Sequence, residues 1–353
     1  MDNAPQSAYN VPLRPLKPYA AEQKRLFAIA CFFGIGMLLY VMGNNVISLL
    51  ITSDPQLYNR YLNDKTFSVI FGMVNTTFCV FAPFALIYWL MRRKKYIAEL
   101  PLGGVYDPVN AVLLTFMGLG SCYIANIVTG FLSIVTSAFG IESYTAVRQA
   151  ESLTTDTSPF ALVLQLFGFA ILPALFEEFA FRGVVLQSLR RYGDGFAILV
   201  SAALFGLLHG NLVQVPFAFM VGIVLGYCTV VSGSMWVGIA IHFCNNLISV
   251  LQTVMMTVYG ETATLLIMNV MIYVLIIIGL ACFVAYAMRN RAFAKLPPSR
   301  FRYMPHKGAM VLLAPSVLFS CCYFLYAMLM DIVGFYDWFA DGIANLVRSS
   351  VIV

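Results

Sequence analysis

The feature that most constrains this chain is its succession of apolar runs, most of them long enough to cross a bilayer. A helix rises 1.5 Å per residue, so about 20 predominantly apolar residues span the hydrocarbon layer. Nine candidate runs are read: about Leu26–Leu50, Phe67–Met91, Val109–Ala138, Phe160–Arg191, Gly195–Leu208, Val213–Val231, Met235–Val258, Thr264–Met288 and Met310–Phe335. The fifth and sixth are short, which leaves eight as the alternative count. Of the 353 residues, 61% are hydrophobic and 10% charged, far below the quarter or so that a soluble domain carries. The expected fold class is all-α, a polytopic transmembrane helix bundle of about nine spans.

The net charge of +5 is gathered in short clusters between the runs. Arg14, Lys17, Lys24 and Arg25 precede the first span, Arg92–Lys95 follow the second, Arg190–Arg191 follow the fourth, and Arg289–Lys307 separate the eighth from the ninth. Lys/Arg-rich loops stay cytoplasmic. Alternation over nine spans puts all these clusters on one side and the N-terminus inside. The loops Ser53–Lys65, Ile141–Pro159, Gly210–Asn211 and Tyr259–Thr262 then fall outside, and they hold few basic residues. Such clusters suit anionic membrane lipid, and none is long enough for a nucleic-acid arm.

The segment Met1–Arg25 contains Pro5, Pro12, Pro15 and Pro18 and lacks the layout of a cleaved signal peptide, so the first span is expected to act as its own insertion signal. Short polar termini point to a bacterial plasma membrane. The eight cysteines lie in apolar runs without a CxxC pair, and they read as small buried hydrophobes without a disulfide framework or zinc knuckle. Gly222 and Gly226 form a GxxxG pair that reads as helix packing. Residues Tyr336–Val353 have an amphipathic pattern expected to lie along the outer membrane surface.

Within the fourth run stands Leu175-Phe-Glu-Glu-Phe-Ala-Phe-Arg182-Gly183. A charge at bilayer depth costs roughly 2.5–3.5 kcal/mol on insertion scales, so Glu177, Glu178 and Arg182 need a reason to be there. Glu178 and Arg182 are four apart, share a helix face and can neutralise each other. Glu177 is rotated by about 100° from Glu178 and lacks that partner. A desolvated carboxylate is pushed toward neutrality and can serve as a general base. The alternative is an ion-pair cluster that holds helices together.

Of the chain's three histidines, His306 lies in a basic loop, while His209 and His242 lie in apolar spans. His209 closes Phe205-Gly-Leu-Leu-His209, and His242 and Asn246 are four apart on one face. At 1.5 Å per residue, Glu177 lies about 20 Å from Arg190 along its helix, and His209 lies about 21 Å from Gly195. His242 and Asn246 lie about 12 and 18 Å from Ser234. Polar residues of three helices thus reach overlapping depths.

Glu-Glu-x-x-x-Arg-Gly, Phe-x-x-x-His and, after Ser-x-Trp, His-x-x-x-Asn stand in this order between Leu172 and Asn246. The set resembles the CPBP family, which comprises CAAX prenyl proteases of the Ras-converting endopeptidase type and the bacteriocin-processing or Abi proteins. The resemblance implies a glutamic-type intramembrane endopeptidase. In that reading Glu177 and His209 activate water, His242 and Asn246 stabilise the oxyanion, and Glu178 and Arg182 support the site. A polar cavity among the fourth, fifth and seventh spans is expected, since water must reach the carboxylate. Zinc is the open alternative cofactor, with Glu177, His209 and His242 as its ligand set, although no HExxH is present. The expected division is a polar tail (1–25), N-terminal helices (26–158), a catalytic core (159–258) and C-terminal helices with a tail (259–353). The expected partners are membrane lipid and a peptide or membrane-protein substrate. A non-proteolytic scaffold or immunity protein of the same family and a proton-coupled transporter are the competing readings. The missing internal repeat speaks against the transporter.

Overall fold

The structure, a computed structural model, describes residues 19–139, 156–290, 296, 299 and 301–332. Helices are the only repeating secondary structure among the described residues. The bilayer interior explains this: without water, a spanning segment satisfies its backbone polar groups only in a helix or a closed barrel. The helices are α1 (Ala20–Ser53), α2 (Pro55–Asn63), α3 (Lys65–Arg93), α4 (Pro108–Ala138), α5 (Pro159–Tyr192), α6 (Asp194–Leu208), α7 (Gln214–Ser232), α8 (Met235–Arg289), α9 (Lys307–Leu312) and α10 (Pro315–Met330). Six of them, α1, α3, α4, α5, α7 and α8, are long and apolar enough to cross a membrane, and α6 and α10 are shorter apolar helices. This is an all-α integral membrane protein.

The 55-residue α8 is two spans joined by a turn. A Cβ on Gly118 of α4 would meet Ile241 at 2.5 Å, and one on Gly120 would meet the Cα of Gly279 at 2.8 Å. On a straight helix residues 241 and 279 would stand about 57 Å apart, yet both touch neighbouring positions of α4. The chain therefore doubles back, and it does so at Gly260, with φ 78° and ψ 173°. Only glycine adopts that backbone region readily. The arms 235–259 and 261–289 correspond to the expected seventh and eighth spans. The expected ninth run is interrupted after Leu312 and restarts at Pro315.

Two long helices contain widened, π-helical turns: Thr77–Phe81 in α3, and Leu166–Ile171 and Phe179–Leu186 in α5. Pro83 and Pro173 account for the first two. A proline lacks the N–H and collides with the carbonyl four residues back, which falls inside each widened turn. No proline accounts for the third, which begins directly after Glu178 and carries Arg182.

Packing forms two apolar clusters. One joins α1, α3, α5, α6 and α10 through residues such as Phe33, Phe84, Phe181 and Phe324. The other joins α4, α7 and α8 through Leu114, Leu225 and Ile241. α7 contributes to both and so lies along the seam. Gly222 lets α7 close on α6, where an added Cβ would come within 2.9 Å of the Cα of Ala202. All eight cysteines are free; Cys322 is exposed, unlike the buried hydrophobe expected there. Residues 1–18 with Arg14 and Lys17, the loop residues 140–155, much of the basic segment before Lys307, and the expected amphipathic tail lie outside the described residues.

Candidate active site at the seam of two helix clusters

Glu178 and Arg182 form the fixed part of the site. Arg182 Nη1 donates to Glu178 Oε1 at 2.8 Å, and both side chains are wholly buried. Arg182 Nη2 donates to the carbonyl of Gly222 at 3.2 Å. Its guanidinium lies 4.4 Å from the Phe205 ring centroid. Fully buried charge is tolerated when paired and hydrogen-bonded, and here three helices supply the partners. The expected pairing of these two residues is the one observed.

Glu178 has a second contact that sequence reading did not find. Its Oε1 lies 3.0 Å from Nδ1 of His242, on the first arm of α8. A carboxylate accepts, so Nδ1 carries the proton and Nε2 points onward. That Nε2 lies 3.8 Å from Oε2 of Glu177, inside ion-pair range and beyond a hydrogen bond. His209, at the end of α6, is held alike: its Nδ1 lies 3.0 Å from the carbonyl of Phe205 and must donate to it. Both histidines therefore leave Nε2 for chemistry.

Phe205 is the wedge of this arrangement. Its ring packs edge-on to His209 at 5.1 Å and to His242 at 5.9 Å between centroids. Its carbonyl and ring thus position His209 as well as Arg182, which gives the Phe-x-x-x-His spacing a physical content.

Glu177, 17% exposed, opens into a cavity of about 230 Å³ that His209 also lines. Its other polar walls are Tyr40 and Asn44 from α1, Asn75 and Thr76 from α3, and Gln214 from α7. Asn75 Nδ2 donates to Asn44 Oδ1 at 2.9 Å, which ties the first two spans together here. The expectation of a cavity among the fourth, fifth and seventh spans is thus corrected. The fourth and fifth line it, but the first two spans and α7 supply the rest. The signal was present in the sequence: Asn44 and Asn75 are amides inside apolar runs, a placement that marks function or interhelical bonding.

Asn246 stands one turn beyond His242. Its Oδ1 accepts from Asn245 Nδ2 at 3.3 Å, and among the described residues no hydrogen bond links it to Glu177, His209 or His242. The Ser-x-Trp that precedes His242 anchors the start of α8. Ser234 caps the helix through Trp236 N–H, its hydroxyl donates to the Gly103 carbonyl at 3.0 Å, and the Trp236 indole donates to the Leu102 carbonyl at 3.1 Å. Gly233, at φ 73°, is pressed by Tyr106, which leaves no room for a side chain.

A membrane bundle with a buried acid–histidine centre reached through a polar cavity is the class these features define. Within it, residues 159–248 match the family model described as type II CAAX prenyl endopeptidase Rce1-like. The matched segment carries Glu177, Glu178, Arg182, His209, His242 and Asn246, and the chain's likeness to the CPBP/CAAX proteases rests on it. No curated protein and no solved structure matches the chain.

Proposed function

We propose that the chain hydrolyses a peptide bond in a membrane-associated peptide or protein, with the catalytic unit at residues 159–258 and the flanking helices completing its cavity. The observation that carries this is the division of labour between adjacent carboxylates: Glu178 is locked by Arg182 and His242, while Glu177 opens to the cavity it shares with His209. Glu177 takes a proton from water, and the hydroxide forms a bond to the scissile carbonyl carbon. His209, with Nε2 free, assists that removal. His242, held at Nδ1 by Glu178, stabilises the developing oxyanion from its Nε2 edge together with the Asn246 amide. Collapse breaks the C–N bond, and the proton passes to the leaving amine.

Both histidines hold Nδ1 on an oxygen acceptor, as metal-ligating histidines commonly do. However, among the described residues no group of three or more His, Cys, Asp or Glu side chains is gathered to hold a metal. The Glu177, His209 and His242 set does not fit zinc in this arrangement.

The basic clusters ahead of the first span and after the second and fourth support a cytoplasmic N-terminus. Incubating the purified protein with a membrane-associated peptide tests the activity. Two fragments whose masses sum to substrate plus one water support it, while an intact peptide with a folded enzyme refutes it for that substrate class.

A further inference from the structure

At the end of the bundle where basic residues gather, a cavity of about 730 Å³ opens between α1, α3 and the end of α5, within the size range of small-molecule sites. Five of its lining side chains are cations: Arg25, Arg92, Lys95, Arg190 and Arg191. Three of these have acids: Arg92 with Glu99 at 3.2 Å, Arg190 with Asp194 at 2.7 Å, and Arg191 with Glu22 at 2.7 Å. Arg25 and Lys95 have no acidic partner among the described residues. Arg25 bonds the Lys95 carbonyl, stacks on Tyr96, and leaves its Nε buried without a partner. The segment from Arg289 to Lys307, both included, holds six Lys and Arg and no acid, so it brings no neutralising carboxylate.

We propose that this cavity binds a phosphate group, the head group of an anionic phospholipid, with Arg25 and Lys95 supplying the uncompensated charge. The location favours a lipid: Arg25 starts the first span, and Arg92 and Arg190 close the second and fourth, so the cavity sits at head-group level. Basic pockets between helices at this level are the places where anionic head groups bind. Guanidinium groups suit the phosphate oxygens through paired donors. A soluble phosphate compound would offer the same chemistry, and the test separates the two. The proposal is independent of the proteolytic reading.

The experiment measures lipid binding to the delipidated full chain by native mass spectrometry, with phosphatidylglycerol, phosphatidylcholine and inorganic phosphate as probes. Phosphatidylglycerol is expected to bind, and R25Q/K95Q to weaken it about thirtyfold, from about 1 kcal/mol for each surface cation. R25K/K95R, which keeps both charges, is expected to bind as the native chain does. R93Q removes a charge that stacks on Trp89 outside the cavity and is also expected to leave binding intact. Equal binding of phosphatidylcholine, or equal weakening by R93Q, overturns the site. Competition by millimolar inorganic phosphate overturns the lipid as its occupant.

Discussion

Replacing Arg182 with methionine leaves Glu178 as a buried charge without its cation. The structure sets the scale. Arg182 is fully enclosed, gives Glu178 a 2.8 Å ion pair and bonds the Gly222 carbonyl across the seam. Removing one partner of such a pair costs about 3–5 kcal/mol, because the other charge stays desolvated. Neutralising the survivor in E178Q/R182M removes that penalty, and the double variant is expected to recover about 2–3 kcal/mol relative to the sum of the single changes. The assay is equilibrium unfolding in mixed detergent micelles titrated with sodium dodecyl sulfate. Peptide cleavage should not recover with stability, since His242 no longer has a carboxylate on Nδ1. The reasoning is refuted if R182M lies within about 1 kcal/mol of the native chain, where surface substitutions fall, or if the two changes add without coupling.

Gly120→Val drives a side chain into the backbone of Gly279, and overpacking of this kind is expected to cost about 1–3 kcal/mol or more in the same unfolding assay. Gly260→Ala forces a side chain into the turn of α8 and should destabilise by about 1–3 kcal/mol, the cost of a strained backbone position. Asp107 is held below the ordinary carboxylate range, first by its hydrogen bond from Arg289 and then by the Asn110 N–H at the start of α4. A depressed folded value means this contribution is present above the ordinary aspartate range and lost as pH falls through the folded value. D107N should therefore flatten the acid limb of an unfolding-against-pH profile. Prolonged treatment with a strong chelator is expected to leave cleavage unchanged; loss of activity restored by zinc would contradict the metal-free mechanism.

Much of the fold was legible because a bilayer leaves a chain few choices. Apolar runs of the right length become helices, and Asp54, Asp107 and Ser158 ahead of Pro55, Pro108 and Pro159 mark where three of them start. The Glu178–Arg182 pair was legible from i,i+4 spacing alone. What distant residues do to each other was hidden. Nothing local says that Glu178 reaches His242, that Phe205 meets both histidines, or that Asn44 and Asn75 wall the Glu177 cavity, since each contact depends on how helices cross. The widened turns at 77–81 and 166–171 were foreshadowed by Pro83 and Pro173, but the one after Glu178 has no such marker. Asn246 was placed by the family pattern beside the oxyanion, and its observed hydrogen bond is to its own neighbour, Asn245.

The central claim is that Glu177, and not the adjacent Glu178, is the working base. The most direct measurement is the single-turnover cleavage rate of E177Q beside the native protein, with folding of both verified by their unfolding curves. A general base contributes about 10²–10⁴-fold, so E177Q, which keeps the side chain's shape, is predicted to lose at least 10²-fold in rate with its stability unchanged. An E177Q protein that cleaves at the native rate would contradict the account.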